Sequence, residues 1–121
     1  MNALQRDLKR LVPMVEAAGA SAAADLHRQK LHVQPPVGWL NDPNGLCQIG
    51  DEYHVFYQYG PFDPTGGVKH WGHVRSRDLF HWERLPVMLY PDERRLFRLR
   101  SGGGRHAVPV LYRQCQAPRR I

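Results

Sequence analysis

Hydrophobic positions in the first thirty residues recur at helical spacing, with Leu4, Leu8, Leu11 and Val15 on one stripe of a segment rich in Ala, Leu, Arg and Glu. Asn2 followed by Gln5 forms a capping pair. Pro13 lacks an amide hydrogen and its ring clashes with the preceding turn, so it should end or kink the first helix near Leu11. The pattern predicts one or two short helices over residues 1–30, packed on a later element. A partner-binding amphipathic helix is the competing reading, and periodicity alone supports it.

From His32 the texture changes to prolines, aromatics and alternating positions, which predicts strands and turns. Gly45 to Ile49 reads as a first strand, Gly50-Asp51 as a tight turn and Tyr53 to Tyr59 as a second strand. In that strand Tyr53, Val55, Tyr57 and Tyr59 share one face, while His54, Phe56 and Gln58 share the other. After the loop from Gly60 to Lys69 come a third strand around Trp71 to Arg75, a turn at Ser76-Arg77-Asp78 and a fourth strand around Phe80 to Leu85. Four short antiparallel strands in about 40 residues make one unit of propeller-blade size. A lone blade leaves faces that neighbouring blades would cover, and such arrays generally need about three or more units.

Composition narrows the class. A length of 121 residues with 42% hydrophobic content suits one packed domain. The longest apolar runs are too short to span a bilayer. Charged residues (Arg6, Asp7, Lys9, Arg10) stand where a secretory signal would carry its apolar stretch, so a soluble, cytoplasmic protein is expected. Cys47 and Cys115 lie in segments of different character and read as free thiols. The seven histidines show neither an HExxH nor a paired Cys/His spacing, so no metal is expected.

The net charge of +6 is unevenly distributed. Residues 94–121 hold eight arginines and no acid, which leaves nine basic groups against eleven acids in residues 1–93, and 9 − 11 = −2. A basic arm for nucleic acid has the charge but lacks the interleaved aromatics of a reader domain, so no nucleic-acid partner is expected.

The sharpest local signal is Trp39-Leu40-Asn41-Asp42-Pro43-Asn44-Gly45. Read alone, Asp-Pro-Asn-Gly is a good turn. The whole heptapeptide is similar to the WMNDPNG signature of glycoside hydrolase family 32, and further motifs follow in family order. Leu31 to Gly38 resembles the family's lead-in, Phe56-Tyr57-Gln58-Tyr59 its FYQ strand, His70-Trp71-Gly72-His73-Val74 its HWGH segment, and Ser76 to Glu83 its SxDLxHWE blade ending. The resemblance covers residues 31–93, between a helical extension over 1–30 and an Arg-rich tail over 94–121.

That resemblance implies a mainly β fold: the first blade of a five-bladed β-propeller, truncated here and preceded by a short helical segment. It also implies a retaining hydrolase of terminal β-fructofuranosidic bonds, of β-fructofuranosidase type, with sucrose, sucrose 6-phosphate or a fructan as substrate. Asp42 is then the catalytic nucleophile, and Trp39, Leu40, Asn41, Gln58 and Trp71 contact substrate. An Asp with an ordinary pKa of about 3.9 is ionised at neutral pH, and Pro43 and Gly45 would fix a bend that holds it still. Gln58 carries an amide that both donates to and accepts from sugar hydroxyls, though it also suits a solvated strand face. Trp39 and Trp71 suit either the core or a sugar's C–H face. Gly66 stands where many relatives carry a further tryptophan. Lys69 and His70 have the chemistry to meet a phosphate, but they read as exposed, solvated groups.

Three later elements of the family pattern do not occur in this sequence: an FSGS-like strand, an Arg-Asp-Pro motif, and a Glu-Cys motif whose Glu is the acid/base. Arg77-Asp78 is followed by Leu79, and Cys115 is preceded by Gln114. The tail resembles a high-GC gene translated in a shifted frame, and the chain is expected to be an incomplete, inactive piece of such an enzyme. No cofactor is implied, since retention needs only carboxylates and water. The alternative is a non-catalytic carbohydrate- or partner-binding module that keeps Asp42 as turn chemistry.

Overall fold

The structure is a computed structural model that describes residues 2–91, so the expectations for the Arg-rich tail and for Cys115 lie outside the described residues. Helix α1 (Ala3–Ala18) starts at the expected cap. The Asn2 side chain accepts from the Gln5 amide at 2.8 Å, and the Gln5 side chain accepts from the Asn2 amide at 3.2 Å.

Of the two outcomes expected at Pro13, an end to the helix does not occur: α1 runs through Pro13 to Ala18. An interior proline costs roughly 3 kcal/mol. Packing offsets it: Leu8 and Val12, one turn apart, are both buried, and Val12 joins the core of the sheet. The buried stripe therefore passes through Val12, and Leu11 stays exposed. A 3-10 turn (Ala20–Ala24) follows.

Four strands then form one antiparallel meander: β1 (Trp39–Ile49), β2 (Glu52–Gly60), β3 (His70–Ser76) and β4 (Glu83–Leu89), in the order β1-β2-β3-β4. The alternation expected for β2 holds. Tyr57 and Tyr59, each 1% exposed, pack with Val12 and Val74, with Val55 beside them. Phe56 packs on the opposite face with Trp71. Helix α1 thus covers one face of the blade; Trp82, just before β4, and Val87 in it lie on that side, and Met88 and Leu89 of β4 lie on the other.

Two strand boundaries differ from expectation. β4 begins at Glu83 rather than Phe80, because the preceding turn is longer than its sequence suggests. Ser76 Oγ accepts from the amides of Asp78 and Leu79 at 3.2 and 2.9 Å, and Asp78 Oδ1 accepts from those of Phe80 and His81 at 2.9 and 2.7 Å. These bonds satisfy the backbone without a ladder partner, and Phe80 is left exposed.

β1 begins at Trp39 rather than Gly45. The residues that read as a turn are absorbed into the strand by two register shifts, between Asn41 and Pro43 and between Asn44 and Cys47. Cys47 is disulfide-bonded, so the expected free thiol at that position is overturned.

Candidate active site

Strand pairing assembles the site. Asn41 lies opposite Gln58, and Gln58 lies opposite Trp71. Directly paired residues of antiparallel strands point to the same side, so these three form a row across β1, β2 and β3. Trp39, two residues before Asn41, stands on the same side, facing Gly60.

Leu40 pairs with Tyr59 and packs into the helix-covered core, away from that row. Trp71 is 8% exposed and packs on Phe56, so its ring is largely a wall of the sheet.

Asp42 sits where the register slips. The ladder passes from Asn41–Gln58 directly to Pro43–Tyr57, so the register shifts across Asp42. This is a β-bulge, a device that re-aims one side chain while the strand continues. Its φ is 38°, a left-handed conformation shared among non-glycine described residues only by Leu79. Asp and Asn tolerate that region better than other side chains because a short polar group can bond locally. Asp42 is exposed, and the row of Asn41, Gln58 and Trp71 begins beside it.

The rim of the site is built by the loop after β2. Lys69 Nζ lies 3.6 Å from the centroid of the Trp39 indole, a cation–π contact. Gly66 is buried with φ at 123°, and a Cβ there would strike Lys69 Nζ and reach to 3.7 Å from Trp39 Cε2. Glycine at this position therefore leaves the space that the ammonium fills.

The expectation that His70 is exposed is overturned: it is 2% exposed and ringed by Tyr59, Phe62 and Tyr90. Its Nδ1 donates to the Val68 carbonyl at 3.2 Å, and its Nε2 is buried without a hydrogen-bond partner. Burial pushes its pKa down, opposed by backbone hydrogen bonds at Val68 and Tyr59. Its neighbour Lys69 is half-buried rather than solvated.

Two further histidines meet on the same face as Gln58. His54 Nδ1 and His73 Nε2 are 2.9 Å apart, and the His73 ring stacks on Phe56 at 4.2 Å. Burial first, then the charges of His54 and Arg75, hold His73 down at about 4. Nothing in their sequence spacing announces this pair, because the register of β2 on β3 creates it. No group of three potential metal ligands gathers among the described residues.

At the other end of the sheet, Arg75 bridges Glu83 at 2.8 Å and Glu52 at 3.3 Å, and Arg77 reaches Glu52 at 3.2 Å. These mutually paired charges line a groove about six residues along β2 from Gln58, roughly 20 Å at strand rise.

An antiparallel meander with a helix on one face, whose first strand bulges at an aspartate beside an amide-and-indole row, is the blade of a β-propeller enzyme. The chain belongs to glycoside hydrolase family 32: the model of the "Glycosyl hydrolases family 32 N-terminal domain" matches residues 32–100. It is similar to a sucrose-6-phosphate hydrolase of Zymomonas mobilis, 61% identical over 62 residues, which are 51% of this chain and 12% of that protein. It is also similar to a Bacillus subtilis levanase, 48% identical over 79 residues, covering 65% of this chain and 12% of the levanase. Among solved structures it resembles a Bombyx mori family 32 beta-fructofuranosidase with a TM-score of 0.65 and 40% identity, across 72% of this chain and 19% of that one. The chain thus spans only about an eighth of the length of each of these two curated relatives.

Proposed function

We propose that this chain supplies the nucleophile-bearing blade of a retaining β-fructofuranosidase acting on sucrose, sucrose 6-phosphate or a fructan, with Asp42 as the nucleophile. The observation that carries the reading is the bulge at Asp42, which takes its carboxylate out of the strand's alternation beside Asn41 and Gln58. The names of the relatives support the substrate class: a sucrose-6-phosphate hydrolase, a levanase and a beta-fructofuranosidase, an alanine mutant of which is solved in complex with sucrose.

In this mechanism the Asp42 carboxylate attacks the anomeric carbon of the fructosyl unit. The leaving oxygen takes its proton from a second carboxylic acid about 5 Å away, and water then cleaves the fructosyl ester with that acid acting as base. Asn41 and Gln58 offer amides that both donate to and accept from ring hydroxyls. Trp39 and Trp71 offer indole faces to the sugar's C–H surface, and Leu40 anchors the strand from behind. The family's Glu-Cys acid/base motif is absent from this sequence, so the chain by itself turns over no substrate.

The test places residues 32–91 into the matching segment of the Zymomonas mobilis relative and compares that hybrid with its Asp42→Asn variant on sucrose and sucrose 6-phosphate. The hybrid is expected to hydrolyse both, with loss of at least about 10⁴ in kcat on substitution, since removing a covalent nucleophile disables the whole catalytic unit. Equal hydrolysis by both proteins removes Asp42 from the mechanism and leaves the non-catalytic module. Sugar release by the unmodified 121-residue chain refutes its inactivity.

A further inference from the structure

We propose that the groove at the far end of the open sheet face is a second binding site, for a neutral oligosaccharide. The site is separate from the one proposed above, since neither Asp42 nor any residue of its row takes part in it. Glu52 and Gln58 lie on one face of β2 by strand alternation, so the groove and the Asp42 site share the face opposite α1, roughly 20 Å apart at strand rise.

The groove has the size and the chemistry for sugar rings. Its volume is about 440 Å³, in the range of small-molecule sites, and its lining includes Glu52, Arg75, Arg77, Asp78, His81 and Glu83. Ion pairing already fixes these planar groups. Arg75 Nε donates to Glu83 at 2.8 Å, Arg75 Nη1 and Arg77 Nη2 donate to Glu52 at 3.3 and 3.2 Å, and His81 Nδ1 bonds Asp78 at 2.6 Å. A guanidinium carries five N–H donors and a carboxylate about four acceptor positions, so each group keeps hydrogen-bonding capacity beyond these contacts. Donors and acceptors side by side in fixed planes match the adjacent hydroxyls of a sugar, and little ordering cost remains for binding.

The same pairing disfavours charged ligands. A phosphate would have to displace Glu52 or Glu83 from Arg75, and a cation would have to displace Arg75 from them. A neutral hydroxyl bridges both partners without separating them. The turn beside the groove adds apolar surface, because Leu79 and Phe80, between the lining residues Asp78 and His81, are 51% and 58% exposed. Leu79 holds a φ of 66°, a strained conformation for a residue with a side chain, and Ser76 Oγ and Asp78 Oδ1 enforce it by accepting the amides of Leu79 and Phe80. An exposed aromatic ring next to paired hydrogen-bonding groups complements a sugar, which presents C–H faces and a hydroxyl rim.

The test is a titration of the isotope-labelled full chain with a linear fructo-oligosaccharide, a malto-oligosaccharide of equal length and inorganic phosphate, read by NMR at the Arg75 Nε–H and the backbone amides of Phe80 and His81. Saturable shifts with at least one of the two oligosaccharides, insensitive to added salt, are expected, and the sugar that binds identifies the glycan. Phe80→Ala removes an exposed ring and should weaken binding about fivefold, the scale of one aromatic contact. Arg75→Lys, which lacks the planar fork, should weaken it as well. No response to either sugar, equal affinity in Phe80→Ala, or displacement of the sugar by inorganic phosphate overturns the proposal. Shifts that follow protein concentration instead of sugar also overturn it, and assign the groove to contact between copies of the chain. The response should survive Asp42→Asn, so a failure of the nucleophile assignment appears in hydrolysis and not in this titration.

Discussion

Tyr59 on β2 donates a hydrogen bond from its hydroxyl to Glu16 on α1 at 3.0 Å, and this bond, together with the packing of Val12 on the same tyrosine, joins the helix to the strand that carries Gln58. Burial, and then the Glu16 carboxylate, push the Tyr59 hydroxyl far above its ordinary pKa, so it stays a donor throughout the useful pH range. Tyr59→Phe should cost about 1 kcal/mol from the lost bond. Val12→Ala, which opens a cavity under the same tyrosine, should cost about 2 kcal/mol. Urea denaturation of each variant measures both, and an unchanged midpoint in Val12→Ala would show that α1 does not cover this face in solution.

The conformation of Asp42 is separable from its chemistry. A φ of 38° suits glycine and opposes β-branched residues. Both Asp42→Gly and Asp42→Val lose the carboxylate and whatever it bonds, so the difference between them reports the backbone alone. The glycine variant should be more stable by about 1–2 kcal/mol. Thermal denaturation of the pair checks this, and equal stability would mean that the bulge does not hold position 42 in the left-handed region.

His73 should impose a pH dependence on stability. Its folded-state pKa lies near 4, below the ordinary histidine value of 6.5, so the unfolded chain binds the extra proton first. Between those two values the unfolded state holds more protons than the folded one, and stability must fall as pH drops from about 6.5 towards 4. The groups that set this window are burial, His54 and Arg75, with Glu52 3.9 Å from His54. Replacing His73 with Gln should flatten that part of the profile, as read from urea midpoints at steps between pH 4 and 7. An unchanged slope would place the titrating group elsewhere.

The turn before β4 depends on one hydroxyl. Ser76 is buried and its Oγ accepts two backbone amides while donating to Asp78 Oδ1 at 3.0 Å. Ser76→Ala strands both amides and should cost about 1–2 kcal/mol, much as loss of a helix cap does. Amide hydrogen exchange at Leu79 and His81 should accelerate in that variant ahead of the rest of the sheet.

The sequence by itself determined the alternation of β2, because a side-chain period of two is written directly into consecutive residues, and Tyr57 and Tyr59 had to lie opposite Phe56 and Gln58. It also carried the family motifs around Asp42, since a motif is residue identity at fixed spacing. Tertiary structure alone decided the rest, because those features are relations between residues distant in the chain. Pro13 stays inside α1 because Val12 is buried against Tyr57 and Tyr59, more than forty residues later. The Asp-Pro-Asn-Gly stretch becomes a bulged strand rather than a turn because β2 offers it a ladder. His70 is buried, and Lys69 lies over Trp39, because thirty residues of intervening chain fold back to the same edge. Burial and register are collective properties of paired strands, and no local pattern encodes them.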